Sequence, residues 1–197
     1  MGRPRGFDEA AVVRSAAELF ATRSYDGISM DELVTHLGVH RNSLYKTFGS
    51  KRGLYQAALT WSLEHEVAPL IGRLQRSGDI AAALRVALTE PGAETGLNLL
   101  LLAAVERAPV DGEVAEQLDK VLAAFDEAAL QAADANLPAG DADRTADGAK
   151  ADLAFALTAT ILGLRLRARA AGSGAGDGGA TDIRRAGAAL AHHLTQS

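Results

Sequence analysis

The chain has 197 residues, 48% of them hydrophobic, and no cysteine, so it can bury a sizeable core and is not built on disulfides or thiolate metal sites. Its formal net charge of −5 at pH 7 argues against a general coat for nucleic acid. The charge is unevenly spread: residues 1–60 hold eight Lys/Arg and six Asp/Glu, whereas residues 61–197 hold 12 and 19.

The chain opens on Gly2-Arg3-Pro4-Arg5-Gly6, a short basic arm. Asp8 is a candidate N-cap for a first helix, with Glu9 favourable in its first turn. Val12, Val13, Ala16, Ala17, Leu19 and Phe20 recur at helical spacing and give that helix one apolar face. Tyr25-Asp26-Gly27 reads as a turn. Ser29 and Glu32 have capping-box spacing and start helix two, whose inward face is Met30, Leu33, Val34 and Leu37. Gly38 can take a positive φ and end it. A third helix is expected from His40 to Phe48, broken by Gly49-Ser50, with Ser50 as cap for a fourth. Helix four is expected to run past Trp61 toward Val67, where Pro69 kinks or ends it.

Further helices are expected near 80–89, 94–108 and 111–135, bounded by Gly78-Asp79, Pro91-Gly92 and Pro109. Residues 137–148, rich in Pro, Gly and Asp, read as a loop. A long helix follows over 149–171, then a glycine-rich linker over 172–179 and a last helix over 181–194. No run alternates in the manner of a strand, so the fold class is all-α with about nine helices. The most apolar run, residues 153–164, falls short of the about 20 needed to span a bilayer, and Arg165, Arg167 and Arg169 follow it. Asp8, Glu9, Arg14 and Glu18 interrupt any signal-peptide core. A cytoplasmic protein without membrane contact is expected.

Residues 28–51 carry the functional signal: ISMDELVTHLGVHRNSLYKTFGSK. Two short helices joined at Gly38-Val39, the second rich in Arg, Asn, Ser, Tyr and Lys, make a helix-turn-helix. Val39, Leu44 and Phe48 fall on one side of helix three and should seat it on helices one and two. Arg41, Asn42, Ser43, Tyr45 and Lys46 share the other side. Arginine can pair with guanine O6/N7 and asparagine with adenine N6/N7, so Arg41 and Asn42, supplemented by Ser43 and Lys46, are the expected base contacts. Lys51 is electrostatically odd, because a cation at a helix N-terminus opposes the macrodipole; a phosphate lying there would relieve the conflict. Ser29, starting helix two, is a phosphate candidate or simply a cap. His40 lacks the usual capping hydroxyl, and Gly53 stands inside a helix at a cost of about 1 kcal/mol.

Over residues 7–59 these motifs resemble the TetR family of transcriptional regulators. The resemblance implies phosphate contacts for Tyr45 and Lys51. It implies a minor-groove role for Arg3 and Arg5, whose extended arm suits a narrow, negative groove. It divides the chain into a DNA-binding domain, residues 1–60, and a helical effector-binding and dimerisation domain, residues 61–197. The last two long helices would form a homodimer on a pseudo-palindromic DNA operator. A small-molecule effector would enter among helices four to eight and tilt helix four. Trp61, His65, Asn98 and Glu106 are the candidate polar points of that pocket, and the apolar lining predicts an uncharged or amphipathic ligand. No cofactor or metal is implied. The expected function is a ligand-responsive repressor, not an enzyme, since no nucleophile elbow, HExxH or phosphate-binding glycine loop occurs. The alternative, a non-regulatory architectural DNA-binding protein, fits poorly with the acidic residues 61–197.

Overall fold

The computed structural model describes residues 7–89, 93–134 and 144–172, together with Arg185 and Ala189. The described residues are helical, with no strand, in the order α1 (Glu9–Phe20), α2 (Met30–Leu37), α3 (Arg41–Phe48), α4 (Lys51–Ser62), α5 (Ala68–Gln75), α6 (Ile80–Thr89), α7 (Ala93–Leu102), α8 (Gly112–Asp134) and α9 (Arg144–Gly172). Arg3 and Arg5, the 172–179 linker beyond Gly172 and all of the expected 181–194 helix except Arg185 and Ala189 lie outside the described residues.

Local chemistry sets the early boundaries. Asp8 accepts from the backbone N–H groups of Ala10 and Ala11 and starts α1. Val12, Val13, Ala16, Ala17 and Phe20 form its buried stripe. Burying a phenylalanine such as Phe20, only 1% exposed, contributes about 1.5–3 kcal/mol. Phe20, Tyr25 and Tyr55 pack as an aromatic trio with centroids 5.0–6.1 Å apart, tying α1, the α1–α2 turn and α4 together.

Of the two outcomes expected at Pro69, a kink or an end, the helix does not end. A π turn over Leu63–Val67 joins α4 to α5, and the Ala68 N–H bonds to the Leu63 carbonyl five residues back. That extra residue shifts the hydrogen-bond register just before the proline, where an α-helical ladder would meet its ring. The helix therefore continues to Gln75. A second π turn, Ala103–Arg107, extends α7.

Residues 144–148 of the expected 137–148 loop are helical, and residues 137–143 lie outside the described residues. α9 begins at Arg144 and passes through the exposed Gly148, which weakens a helix by about 1 kcal/mol without stopping it. α9 packs on α6, α7 and α8, burying Ala154, Leu157, Thr158, Ile161 and Arg165. It is not covered all round: Phe155 is 68% exposed and Leu166 53%. One contiguous apolar core runs from Val12 in α1 to Ile161 in α9. Among the described residues, no helix is long and apolar enough to cross a membrane.

Candidate nucleic-acid interface

The reading unit is built on two caps and a turn. Ser29 Oγ accepts from the Glu32 N–H at 3.1 Å, while Glu32 Oε2 accepts from the Ser29 N–H at 2.8 Å. These bonds and Arg23, 2.9 Å from Glu32 Oε1, hold the Glu32 carboxyl down at about 2 from its ordinary 4.5. Gly38 ends α2 at φ 63°, a left-handed conformation that turns the chain toward α3. Val39 and Leu44 are buried, and Phe48 packs partly buried against the same core. That seat leaves Arg41, Asn42, Tyr45 and Lys46 exposed on the outer face of α3, with Ser43 half-buried beside them. His40 is the α3 N-cap and makes no side-chain cap hydrogen bond.

Arg41 is not a free cation. Its guanidinium is paired with the Asp31 carboxylate of α2, at the exposed edge of the reading face. Reading a guanine requires Arg41 to leave Asp31 or to share itself with it. Ser29 is exposed, and its oxygen accepts the capping bond from the Glu32 N–H.

Lys51 has partners within the protein. Its ammonium donates to the Tyr25 carbonyl at 2.6 Å and lies 4.2 Å from the centroid of the Tyr25 ring. The helix-terminus conflict is thus answered inside the protein, by a carbonyl and an aromatic face. Burial pushes the Lys51 pKa below the ordinary lysine value, with Asp26 opposing and Arg107 adding to the shift. Gly53 also has a reason that helix propensity hides. A Cβ at this position would lie 2.0 Å from the Phe48 carbonyl oxygen, so the α3–α4 corner closes only over a glycine. Ser50 caps α4 by accepting from the Gly53 N–H at 3.0 Å.

The reading unit is tied to the body by long-range polar contacts that sequence reasoning missed. Arg52 of α4 holds Asp111 through two hydrogen bonds of 2.8 and 2.9 Å, and Arg107 reaches the same carboxylate at 3.3 Å. Only 4% of the Asp111 side chain is exposed, and Arg52 keeps its carboxyl well below the usual range. Gln117 of α8 donates to Thr60 of α4 at 2.8 Å. Glu106 accepts from the Tyr25 N–H at 3.0 Å, and Arg107 lies 4.4 Å over the Tyr25 ring. Arg169 of α9 donates to the Ala21 and Thr22 carbonyls at 2.6 and 2.9 Å. The turn before α2 and the start of α4 are therefore gripped by the second π turn, by α8 and by the end of α9.

Glu106 takes part in this junction, where one carboxylate oxygen is engaged by the Tyr25 backbone. Trp61 is half-buried and stacks on His65, with centroids 5.1 Å apart. His65 is exposed, and its Nδ1 donates to the Trp61 carbonyl at 2.9 Å. Asn98 is half-buried on α7. Trp61, His65 and Asn98 are not drawn to a shared polar point by any of these contacts. Among the described residues, the body's buried polar atoms without partners include Arg107 Nε in the second π turn, an Asp126 carboxylate oxygen on α8, and Thr158 Oγ1 and Arg165 Nε on α9.

Comparison with known proteins follows the same division. Residues 12–58 match the family model "Bacterial regulatory proteins, tetR family". The HTH-type transcriptional regulator YezE of Bacillus subtilis (strain 168) is 34% identical over 131 residues, covering 61% of this chain and 65% of YezE. The HTH-type transcriptional repressor BdcR of Escherichia coli (strain K12) is 34% identical over 89 residues, covering 45% of each chain. The alignments span less than two thirds of either relative. A solved structure of the TetR family transcriptional regulator CifR, complexed with 26-bp operator DNA, covers 100% of this chain and 99% of its own at TM-score 0.70. Its identity of 23% makes that a likeness of fold.

Proposed function

We propose that this chain, which belongs to the TetR family through its residues 12–58, is a sequence-specific DNA-binding regulator whose grip on an operator answers to a small molecule. One observation carries the DNA-binding part. Helix α3 is seated by Val39, Leu44 and Phe48 and turns Arg41, Asn42, Tyr45 and Lys46 outward. In this reading Arg41 and Asn42 contact bases, with Ser43 and Lys46 at the margin. Tyr45 and Ser29 contact phosphates. Repression is the sign we favour, because BdcR is a repressor. Its relatives are regulators and not enzymes, and as a bacterial regulator it would act in the cytoplasm, where the DNA is.

So few reading positions need doubling for useful specificity, and α9 offers the surface. Phe155, Ala159, Gly163 and Leu166 are exposed along one side of it. A large exposed apolar stripe on a folded chain marks an interface, and Gly163 would let a partner helix approach closely. We propose a homodimer through this face, with residues 1–60 as reading head and 61–197 as body. Sedimentation at micromolar concentration should find a dimer, and Phe155→Asp should give a folded monomer. A folded wild-type monomer would overturn it.

Release follows from the junction. Occupancy of the body would displace the π turn carrying Glu106 and Arg107 or the α8 start carrying Asp111, and so change the pose of α4. Selection of bound DNA from a random library tests the central reading. An enriched pseudo-palindrome with half-sites about one helical turn apart is expected. Binding with no enriched sequence would instead indicate an architectural DNA-binding protein.

A further inference from the structure

Arg165 is a cation in the interior of the body with little to neutralise it. Its side chain is 5% exposed. Nη2 donates to the Ala87 carbonyl at 2.9 Å. Nη1 reaches Glu94 only at 3.4 Å, and the Glu94 side chain is itself 62% exposed. Nε is buried and donates to nothing. A buried guanidinium is strongly disfavoured unless an anion and its full set of acceptors surround it. Burial accordingly pushes the Arg165 pKa below the ordinary arginine value, against the pull of Glu94.

The surroundings indicate what is missing. Arg165 shares one face of α9 with Leu157, Thr158 and Ile161, all buried. Thr158 Oγ1 also lacks a partner. Seven residues of helix put about 10 Å between the hydroxyl and the guanidinium, with apolar side chains in the interval. A charged end, an apolar stretch and a hydrogen-bonding point form one line on the inner face of α9, where it meets α6, α7 and α8.

We infer that Arg165 is the anion-binding group of the effector site and that the effector is an amphipathic carboxylate. The carboxylate would take Nε together with a neighbouring Nη, the side-on fork that guanidinium groups offer to planar anions. Its apolar part would lie along Leu157 and Ile161, and Thr158 supplies a second polar point. This rests on the ligand-responsive reading above and narrows it: the ligand carries a negative head, which an apolar lining alone does not predict.

The test uses the full chain, with octanoate and octan-1-ol as paired probes, read by thermal melting and by release of the selected operator. Octanoate should raise the melting midpoint by a few degrees and release DNA, and octanol should do neither to the same extent. Arg165→Met should weaken the octanoate response about tenfold or more, and Arg165→Lys, which keeps the charge, should weaken it less. Without ligand, Arg165→Met should melt at or above the wild-type midpoint, because an uncompensated buried charge has been removed. Equal responses to octanol and octanoate would overturn the inference, as would no response to octanoate or an unchanged response in Arg165→Met. An unliganded Arg165→Met that melts several degrees lower would show Arg165 to be only a tie between α9 and α6. A wild-type protein that selects a palindrome but ignores octanoate loses this inference alone; one that selects no sequence loses the reading beneath it.

Discussion

The reading head and the body differ in where their structurally decisive polar groups find partners. In the head, the groups that set the helix starts find partners close in the chain: Asp8 caps α1 two and three residues on, Ser29 and Glu32 cap each other, and Ser50 caps Gly53. Its unused polar groups point to solvent from α3, where DNA can take them. The body has local bonds of the same kind, such as Ser62 to Glu66 and Asp79 to Ala82, but the groups that join it to the head find their partners far away, and one buried cation is left incompletely paired. Arg52 meets Asp111 across 59 positions, Arg169 meets Ala21 across 148, and Arg165 keeps an unpaired Nε. A surface that reads a polymer can be specified by short-range sequence. An interior is specified by which distant helices meet.

The junction should be the most sensitive place, because it alone uses distant partners to hold the head. Asp111→Ala leaves Arg107 without its buried carboxylate and removes the anchor of Arg52. A loss of about 2–3 kcal/mol is expected, below the range for fully buried pairs because Arg52 is half exposed to water. Calorimetry should show it, with DNA affinity falling as α4 loosens. A loss no larger than that of an exposed pair would mean that head and body are coupled by apolar packing alone.

Gly53→Ala comes next, and its sign separates local from tertiary control. Propensity alone says that alanine stabilises a helix by about 1 kcal/mol. The Phe48 carbonyl, 2.0 Å from where the Cβ would sit, says the reverse. Opening the α3–α4 corner should cost about 1–3 kcal/mol and weaken operator binding, since α3 shifts on its seat. Chemical denaturation decides between the two signs.

These two sites mark where the sequence was legible and where it was not. The caps, the Gly38 turn and the apolar seat of α3 are written within a few residues of where they act, so helix-turn-helix and all-α class could be read directly. The π turn before Pro69 could not, because composition marks the proline and not the register shift that accommodates it. Lys51 and Glu106 have a neighbour that the sequence did not announce, for one shared reason. Both meet Tyr25, at separations of 26 and 81 residues, and no local pattern announces such a meeting. Arg165 had a faint signal: it continues the 157–161–165 spacing of the buried face, so a charge stands where a leucine was due.

Acid should separate head from body more gently. Glu32 sits in the head at about 2 instead of 4.5, held down by the Ser29 N–H and Arg23. A depressed carboxyl stabilises the fold above its unfolded value and loses that contribution as pH falls toward the folded one. The α2 cap should therefore weaken between about pH 4.5 and 2, with Asp111 weakening the junction in the same direction. An NMR titration should place the Glu32 midpoint near 2, and Ser29→Ala should raise it only part of the way, since the backbone N–H and Arg23 remain, at a cost of about 1 kcal/mol to α2. An ordinary midpoint in the wild type would remove the capping box from the account.

Lys51→Ala carries the smallest expected effect and the sharpest distinction. A lysine bound to a DNA phosphate releases a counterion on binding, so its removal lowers the slope of log affinity against log salt by about 1. A lysine bound to the Tyr25 carbonyl does nothing of the kind. Its loss frees the turn before α2, to which Glu106 and Arg107 also hold. The salt slope should then stay the same while affinity falls modestly at every salt concentration and the head melts slightly earlier. A slope reduced by one would mean that Lys51 swings from Tyr25 to the backbone when DNA arrives. In that case the contact with Tyr25 is the unbound state of a switch, and the turn that the body grips is released by DNA itself.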